Sequence, residues 1–325
     1  MKKILHWFTS KRVAILAALF VPAVGASVVV YYFLWHGLFC LLFNLAFFKW
    51  RAWGITAGYH RYQTHHSYTP IRAIKILIIA GGEAGMQGPA GPWVGNHRSH
   101  HKESGKKGDP HRPNEFGDGW FASIRGFFWA QVGWIILSPT AYDTENLGDP
   151  DDHLGRDLDV MWMDRHYWIF VLISLFLPPV VFAFVEWFFW QEPFLVAFGY
   201  GFAWNLLCIF CVQQFTYLVN SIAHMLGSQP VLNKGSDTSR NVWWLAFLTG
   251  GEGWHLWHHF CEWSARHGLE WWQWDDTYYL IWFLGKLGLV KDIRVASKAM
   301  IEKGKQEKKD FDQKLRNALT QSAEV

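Results

Sequence analysis

Charge is scarce in this sequence. Asp, Glu, Lys and Arg make up 18% of its 325 residues, where soluble domains carry about 25%. The net charge of +3 is too small to attract nucleic acid, and no Arg/Lys-rich groove motif is present. Cysteine is also scarce: Cys40, Cys208, Cys211 and Cys261. Three of these lie in apolar runs, and the Cys208/Cys211 pair reads as small core residues of a helix, so no disulfide framework is implied. Haem-attachment, flavin and cysteine-cluster motifs are missing. Redox chemistry by this chain would therefore draw its electrons from a separate protein.

Aromatic side chains are abundant instead, with 22 Trp and 26 Phe. Trp and Tyr favour the membrane–water interface, where one part of the ring can be wet. Strongly apolar blocks alternate with polar ones. The N-terminal run to about Trp35 starts like a secretory leader but continues past Ser27, which suits a span of roughly 20 residues better. Further blocks run from Leu38 to Trp53, from Tyr167 to Trp190 and from Phe194 to Ala223. Ile74–Ala80 is too short to cross and is expected at the interface or packed beneath the polar region.

Four spans put Lys2, Lys3, Lys11, Arg12, Arg51, Arg61, Arg165 and the Lys-rich tail on one side. The positive-inside rule makes that side cytoplasmic. The expected organisation is an N-terminal segment and first hairpin (1–56), a cytosolic histidine-rich region (57–166), a second hairpin (167–223), a second histidine-rich region (224–295) and a charged tail (296–325) that is a solvated helix or partly disordered.

Sixteen histidines are present, most of them in three clusters. The first holds His60, His65 and His66; the second His97, His100 and His101; the third His255, His258 and His259. Two clusters share the pattern H-x-x-H-H. At about 100° per residue, positions i, i+3 and i+4 of a helix lie within roughly a 100° arc, so three imidazoles can reach one metal site together. His60 and His65 would lie about 140° apart on a regular helix, straddling a site and serving different metals. His66 is left over as a non-ligand.

His224 closes the last apolar block at the depth of His60 and is a further candidate ligand. Asn220, one turn earlier, is placed to contact a metal directly or through water. So many imidazoles without thiolates suit Fe, Zn, Cu or Ni. A zinc site needs only three or four ligands, whereas nine serve two metals. Glu252, Asp109 and Glu83 are candidates to orient the rings, and Trp129, Trp134, Trp204 and Trp254 to line a substrate tunnel or simply to pack.

The segments GYHRYQTHHSY, QGPAGPWVGNHRSHHKESGKKGDPHRP, GFFWAQVGW, LVNSIAHMLG, GGEGWHLWHH and SARHGLEWWQWDDTYY resemble, in order and with their flanks, the membrane-bound Δ9-type fatty acyl desaturases of the stearoyl-CoA desaturase class, in particular the bacterial and cyanobacterial acyl-lipid branch. The resemblance runs from about His60 to Val290. It implies an all-α membrane protein, with four transmembrane helices carrying a cytosolic helical cap and a di-metal site.

It further implies two Fe (Fe2+/Fe3+) held by His60, His65, His97, His100, His101, Asn220, His224, His255, His258 and His259, with no catalytic residues beyond these. The reaction implied is O2-dependent insertion of a cis double bond, Δ9, into a saturated acyl chain. The partners implied are an acyl-lipid or acyl-CoA substrate, membrane lipid and a separate donor such as ferredoxin or a cytochrome b5-type protein, and the expected location is a bacterial inner membrane with termini and site cytoplasmic. The acidic stretch TAYDTENLGDPDD departs from acyl-CoA members and argues against a CoA headgroup, and FCEWS (260–264) departs from the family's aromatic run. A histidine-box hydroxylase or ketolase, or a non-catalytic metal-binding membrane protein, are the competing readings.

Overall fold

A computed structural model describes residues 42–137 and 157–323, together with Gly25 and Phe39. The chain is helical from 42 to 53 (α1), and the helix runs on as a π-helical segment, Gly54–Thr64. After a two-residue strand, Thr69–Pro70 (β1), come α2 (Arg72–Ala84) and α3 (Ala90–Glu103). α4 (Trp120–Phe128), a π-turn at Trp129–Gly133 and α5 (Trp134–Leu137) complete the first half. The second half holds α6 (Leu158–Arg165), α7 (Tyr167–Trp190), α8 (Phe194–Ser221), α9 (Trp243–Leu248), α10 (His255–Phe260), α11 (Asp276–Lys286), β2 (Val290–Lys291) and α12 (Lys298–Ala323). Thr69 pairs with Lys291 and Pro70 with Val290, antiparallel, which ties the chain after α11 to the end of the π-segment.

α7 and α8 are long and apolar enough to cross a membrane, the only two such helices among the described residues. At about 1.5 Å per residue the 24 residues of α7 extend about 36 Å, against a hydrocarbon core of about 30 Å. Leu172, Phe176, Phe184, Phe188 and Leu195 stand exposed on the two helices, as lipid-facing side chains do. The block boundaries at Tyr167, Trp190 and Phe194 match the expected ones. The expected first span lies outside the described residues, as do the start of the second and the acidic stretch after Leu137. The charged tail is a helix to Ala323.

Buried polar groups tie the helices together. Pro178 and Pro179 inside α7 supply no N–H, so the carbonyls of Ser174 and Leu175, four residues earlier, lose their usual donors. In a membrane no water replaces them. Asn205 of α8 donates to both, at 2.8 Å and 3.2 Å. Arg51 of α1 donates to the Ser174 carbonyl at 3.0 Å, to Ser174 Oγ at 3.1 Å and to Asn205 Oδ1 at 2.6 Å. Ser174 Oγ in turn donates to the Ala84 carbonyl of α2 at 2.7 Å. Four helices thus meet at one proline-made gap.

The π-segment presses against α2. A Cβ at Gly54 would sit 2.0 Å from the Gly82 nitrogen, so only glycine permits this approach. Ile55 and Tyr59 pack there with Ile78, Ile79 and Val94. The apolar part of Ile74–Ala80 is therefore partly a packing surface, while Ile76 and Leu77 remain exposed. Asn205→Leu should leave the buried Leu175 carbonyl without a donor and remove the Asn205 acceptor from Arg51, which alone would then serve the Ser174 carbonyl, at a cost of about 1–3 kcal/mol. Thermal unfolding in detergent is expected to shift down by several degrees; an unchanged midpoint would show that the tie contributes nothing.

Candidate metal centre

Three helical segments and one helix end aim histidines at a common centre. α3 is fixed at its start: Ala90 N–H and Gly91 N–H donate to Asp164 at 3.0 Å and 2.8 Å, and Ala90 N–H also approaches Glu83 Oε1 at 3.3 Å. These carboxylates serve the unpaired N–H groups of a helix N-terminus. Burial, and then the neighbouring Asp164, pushes the Glu83 carboxyl well above the ordinary range. Glu83 therefore supports the histidine helix and does not hold an imidazole, unlike the expectation for it. α10 is entered through Gly250 and Gly251, both left-handed (φ 67° and 111°). A Cβ on Gly251 would lie 2.4 Å from Asp275 Oδ1.

Nine histidines form two groups whose ring nitrogens lie within 4.8 Å of one another: His60, His65, His97, His101 and His258 in the first, and His100, His224, His255 and His259 in the second. In the first, Nε2 atoms are separated by 3.1 Å (His60–His258), 2.9 Å (His258–His101), 3.1 Å (His101–His97) and 3.2 Å (His97–His65). In the second the separations are 2.9 Å (His224–His255), 3.1 Å (His255–His259) and 3.3 Å (His259–His100). Two nitrogens bound to one ion at about 2.1 Å, and about 90–110° apart, would be separated by about 3.0–3.4 Å. The spacings are those of coordination-polyhedron edges. The rings of His101 and His259, one from each group, stack at 4.4 Å.

The division corrects two expectations. His60 and His65 share a group and do not straddle the site. The backbone between them is π-helical, with His65 N–H bonded to His60 O, and an i→i+5 repeat stacks residues five apart on one side. Each H-x-x-H-H also splits. Positions i and i+4 enter one group and i+3 the other, so His100 crosses to the second group and His258 to the first. His66, left-handed at φ 48°, stays outside both, as expected.

Burial lowers the pKa of six of these imidazoles, of His60 to about 4 and of His65, His97, His255, His258 and His259 well below the ordinary value. They are neutral, with a lone pair to give. Carboxylates behind the rings decide which nitrogen gives it. Glu252 Oε2 lies 2.6 Å from His60 Nδ1, Asp109 Oδ1 2.9 Å from His100 Nδ1, Glu262 3.2 Å from His101 Nδ1 and Asp237 3.4 Å from His259 Nδ1. Each holds the proton on Nδ1 and leaves Nε2 facing inward. Burial pushes the Glu252 and Asp109 carboxyls up, but the surrounding imidazoles, with Arg61 at Glu252, outweigh it and hold both below the carboxylate range. Arg61, fully buried, bonds Glu252 at 3.0 Å and Asp275 at 2.8 Å.

Glu252 and Asp109 thus take the orienting place expected of them. Asp237, Glu262, His111 and His267 were missed. His267 Nδ1 shares Glu252 at 3.3 Å, and the His111 ring lies 4.4 Å from His100. Each is a single residue with no repeat to mark it. Asn220 lines both cavities that reach the centre.

The first cavity, about 40 Å³, is apolar and bounded by Phe48, Ile55, Trp93, Val212 and Phe215, with His60, His97 and His255 on its wall. The second meets it at Trp93, His97, Thr216 and Asn220 and passes Trp134. Of the four tryptophans read as lining a tunnel or simply packing, Trp134 lines the second cavity. Trp129 packs beside Tyr217, Trp204 against Phe182 between spans, and Trp254 faces a separate surface groove. His100→Ala and His258→Ala should each reduce bound metal from two ions per chain toward one, by removing a ligand from different groups. Metal analysis of the purified protein checks this, and two ions retained in both variants would contradict the division.

Comparison with known proteins agrees with this geometry. The sequence profile of the family described as "Fatty acid desaturase" matches residues 33–290. An sn-1 stearoyl-lipid 9-desaturase of Synechocystis sp. (strain ATCC 27184 / PCC 6803 / Kazusa) is 34% identical over 278 residues, covering 80% of this chain and 77% of that protein. A hex-5-enoyl-[acyl-carrier protein] acetylenase of Moorena producens (strain JHB) is 32% identical, covering 87% and 86%. The delta-9 acyl-lipid desaturase 1 of Arabidopsis thaliana is 34% identical, covering 76% and 72%. With the profile spanning most of its length and two imidazole groups at its centre, this chain belongs to the fatty acid desaturase family.

Proposed function

We propose that this chain is an O2-dependent Δ9 acyl-lipid desaturase that holds two irons through His60, His65, His97, His100, His101, His224, His255, His258, His259 and Asn220. The observation that carries the reading is the shared wall: His60, His97 and His255 belong both to the imidazole groups and to the lining of an apolar cavity. Unactivated methylene C–H bonds are inert to side-chain acids and bases, and a bound iron pair supplies the oxidising chemistry for them. The protein's part is placement. The apolar cavity between α1 and α8 marks the path of the alkyl chain, which must widen it on entering, and how far the chain enters sets which carbons lie beside the imidazoles. Trp93 stacks on His97 at 5.2 Å and fixes the cavity wall at that level. The Nδ1 protons stay with Glu252, Asp109, Glu262 and Asp237, so the ring orientations persist through turnover.

A lipid-linked chain is favoured over a CoA ester because two of the relatives are named as lipid desaturases and because the stretch after Leu137 is acidic. A four-span topology is proposed, with termini and metal centre on the cytoplasmic side of a bacterial inner membrane. Two electrons per double bond come from a separate carrier of the ferredoxin or cytochrome b5 kind.

The test is expression in a strain lacking unsaturated fatty acids, followed by gas chromatography–mass spectrometry of membrane lipids. A Δ9 cis alkene without added oxygen is expected, and His100→Ala should abolish it while the protein still inserts. A hydroxylated product, or product from His100→Ala, would overturn the reading.

A further inference from the structure

Desaturation balances only with outside electrons: –CH2–CH2– + O2 + 2 e⁻ + 2 H⁺ → –CH=CH– + 2 H2O. The electrons have to cross the protein surface where an imidazole group lies nearest to it. The second group is buried at every member, as are His60 and His258 of the first. His65, His97 and His101 are partly exposed. His97 faces the cavities, so the open edge is His65 and His101. Behind His101 stands Glu262, half exposed at 49%.

Cations surround this edge. Lys102 follows His101 directly, and Lys106 and Lys107 stand exposed on the turn after α3. That turn packs on the 234–237 loop, where Ser236 Oγ donates to the Ser104 carbonyl at 2.7 Å and Ser104 Oγ to Asp237 at 2.8 Å. Exposed Lys234 sits on that loop, its charge within reach of Glu262. Arg294, also exposed, donates to the backbone carbonyls of His65 and His66, both at 2.6 Å. The four lysines form no ion pair with a described residue. Among the described residues, Glu103 and Glu262 stand beside the lysines and exposed Asp292 lies two residues before Arg294, while Asp237 is turned inward to Ser104, Ser239 and His259.

We propose that this basic rim, Lys102, Lys106, Lys107, Lys234 and Arg294, is the docking surface for an acidic one-electron carrier, which delivers electrons through the His65/His101 edge of the five-histidine group. Charge complementarity of this kind raises the encounter rate and fixes orientation, with a steep dependence on salt. The inference rests on the desaturase reading, and the test separates the two.

The experiment uses the iron-loaded protein in nanodiscs with an acidic plant-type [2Fe–2S] ferredoxin as probe. Stopped-flow reduction by the ferredoxin should slow on the order of ten-fold at low ionic strength in Lys106→Glu/Lys107→Glu, and the difference should shrink as salt screens it. Carbodiimide cross-links should join the ferredoxin to Lys102, Lys106, Lys107 or Lys234. Reduction by dithionite should be unaffected, as should ferredoxin-driven reduction of the tail variant Lys309→Glu/Lys314→Glu. Equal ferredoxin rates in wild type and Lys106→Glu/Lys107→Glu, or cross-links only elsewhere, would overturn the docking surface. It would also fall if the slowing vanished when phosphatidylglycerol is left out of the nanodisc, which would make the rim a lipid site. Failure of the dithionite-reduced protein to form an alkene from an acyl-lipid and O2 would instead overturn the desaturase reading.

Discussion

Nine imidazoles have to be held with their lone pairs pointing inward around a largely buried centre. Left to burial alone, each ring could turn or change tautomer. The bond from Nδ1 to a carboxylate removes that freedom at His60, His100, His101 and His259. Most of the surrounding fold serves those carboxylates. Arg61 holds Glu252 and Asp275 together. Asp275 receives the His267 N–H at 2.7 Å and forces glycine at position 251. Ser104, Asn233 and Ser239 hold Asp237. Buried carboxylates so close to neutral rings are stable because a cation or several donors compensate each of them.

Two helices, α1 and α8, contribute by fixing the ends of two histidine-bearing segments. α1 runs without interruption into the π-segment that carries His60 and His65, and α8 into the turn that carries His224. The gap left by Pro178 and Pro179, filled by Asn205 and Arg51, keeps α1, α7 and α8 in register. A shift between these helices would move histidines of both groups at once.

Much of this was legible in the sequence because it rests on short-range rules. Hydropathy marked the limits of α7 and α8, i, i+3, i+4 spacing marked six of the nine histidines, and His60, His65 and His224 stood out by their places at the ends of apolar blocks. The resemblance to desaturases added Asn220, which spacing left open. What stayed hidden depends on backbone state or distant partners. An i→i+5 repeat is indistinguishable in sequence from a regular helix, so His60 and His65 looked opposed. The split of each H-x-x-H-H between two groups needs two helices crossing the same centre, which neither sequence pattern contains. Asp237 and Glu262 are ordinary loop carboxylates until His259 and His101 are brought to them. Glu83 looked equivalent to Glu252 and Asp109, but its partners are the start of α3 and Asp164.

The central claim is that the nine imidazoles form two separate but adjacent coordination sets. Anomalous diffraction at the iron edge, from crystals of the metal-loaded protein, tests it directly. The account predicts two iron peaks, one among His60, His65, His97, His101 and His258 and the other among His100, His224, His255 and His259. A single peak, or scattering at the zinc edge alone from three or four of these residues, would contradict it.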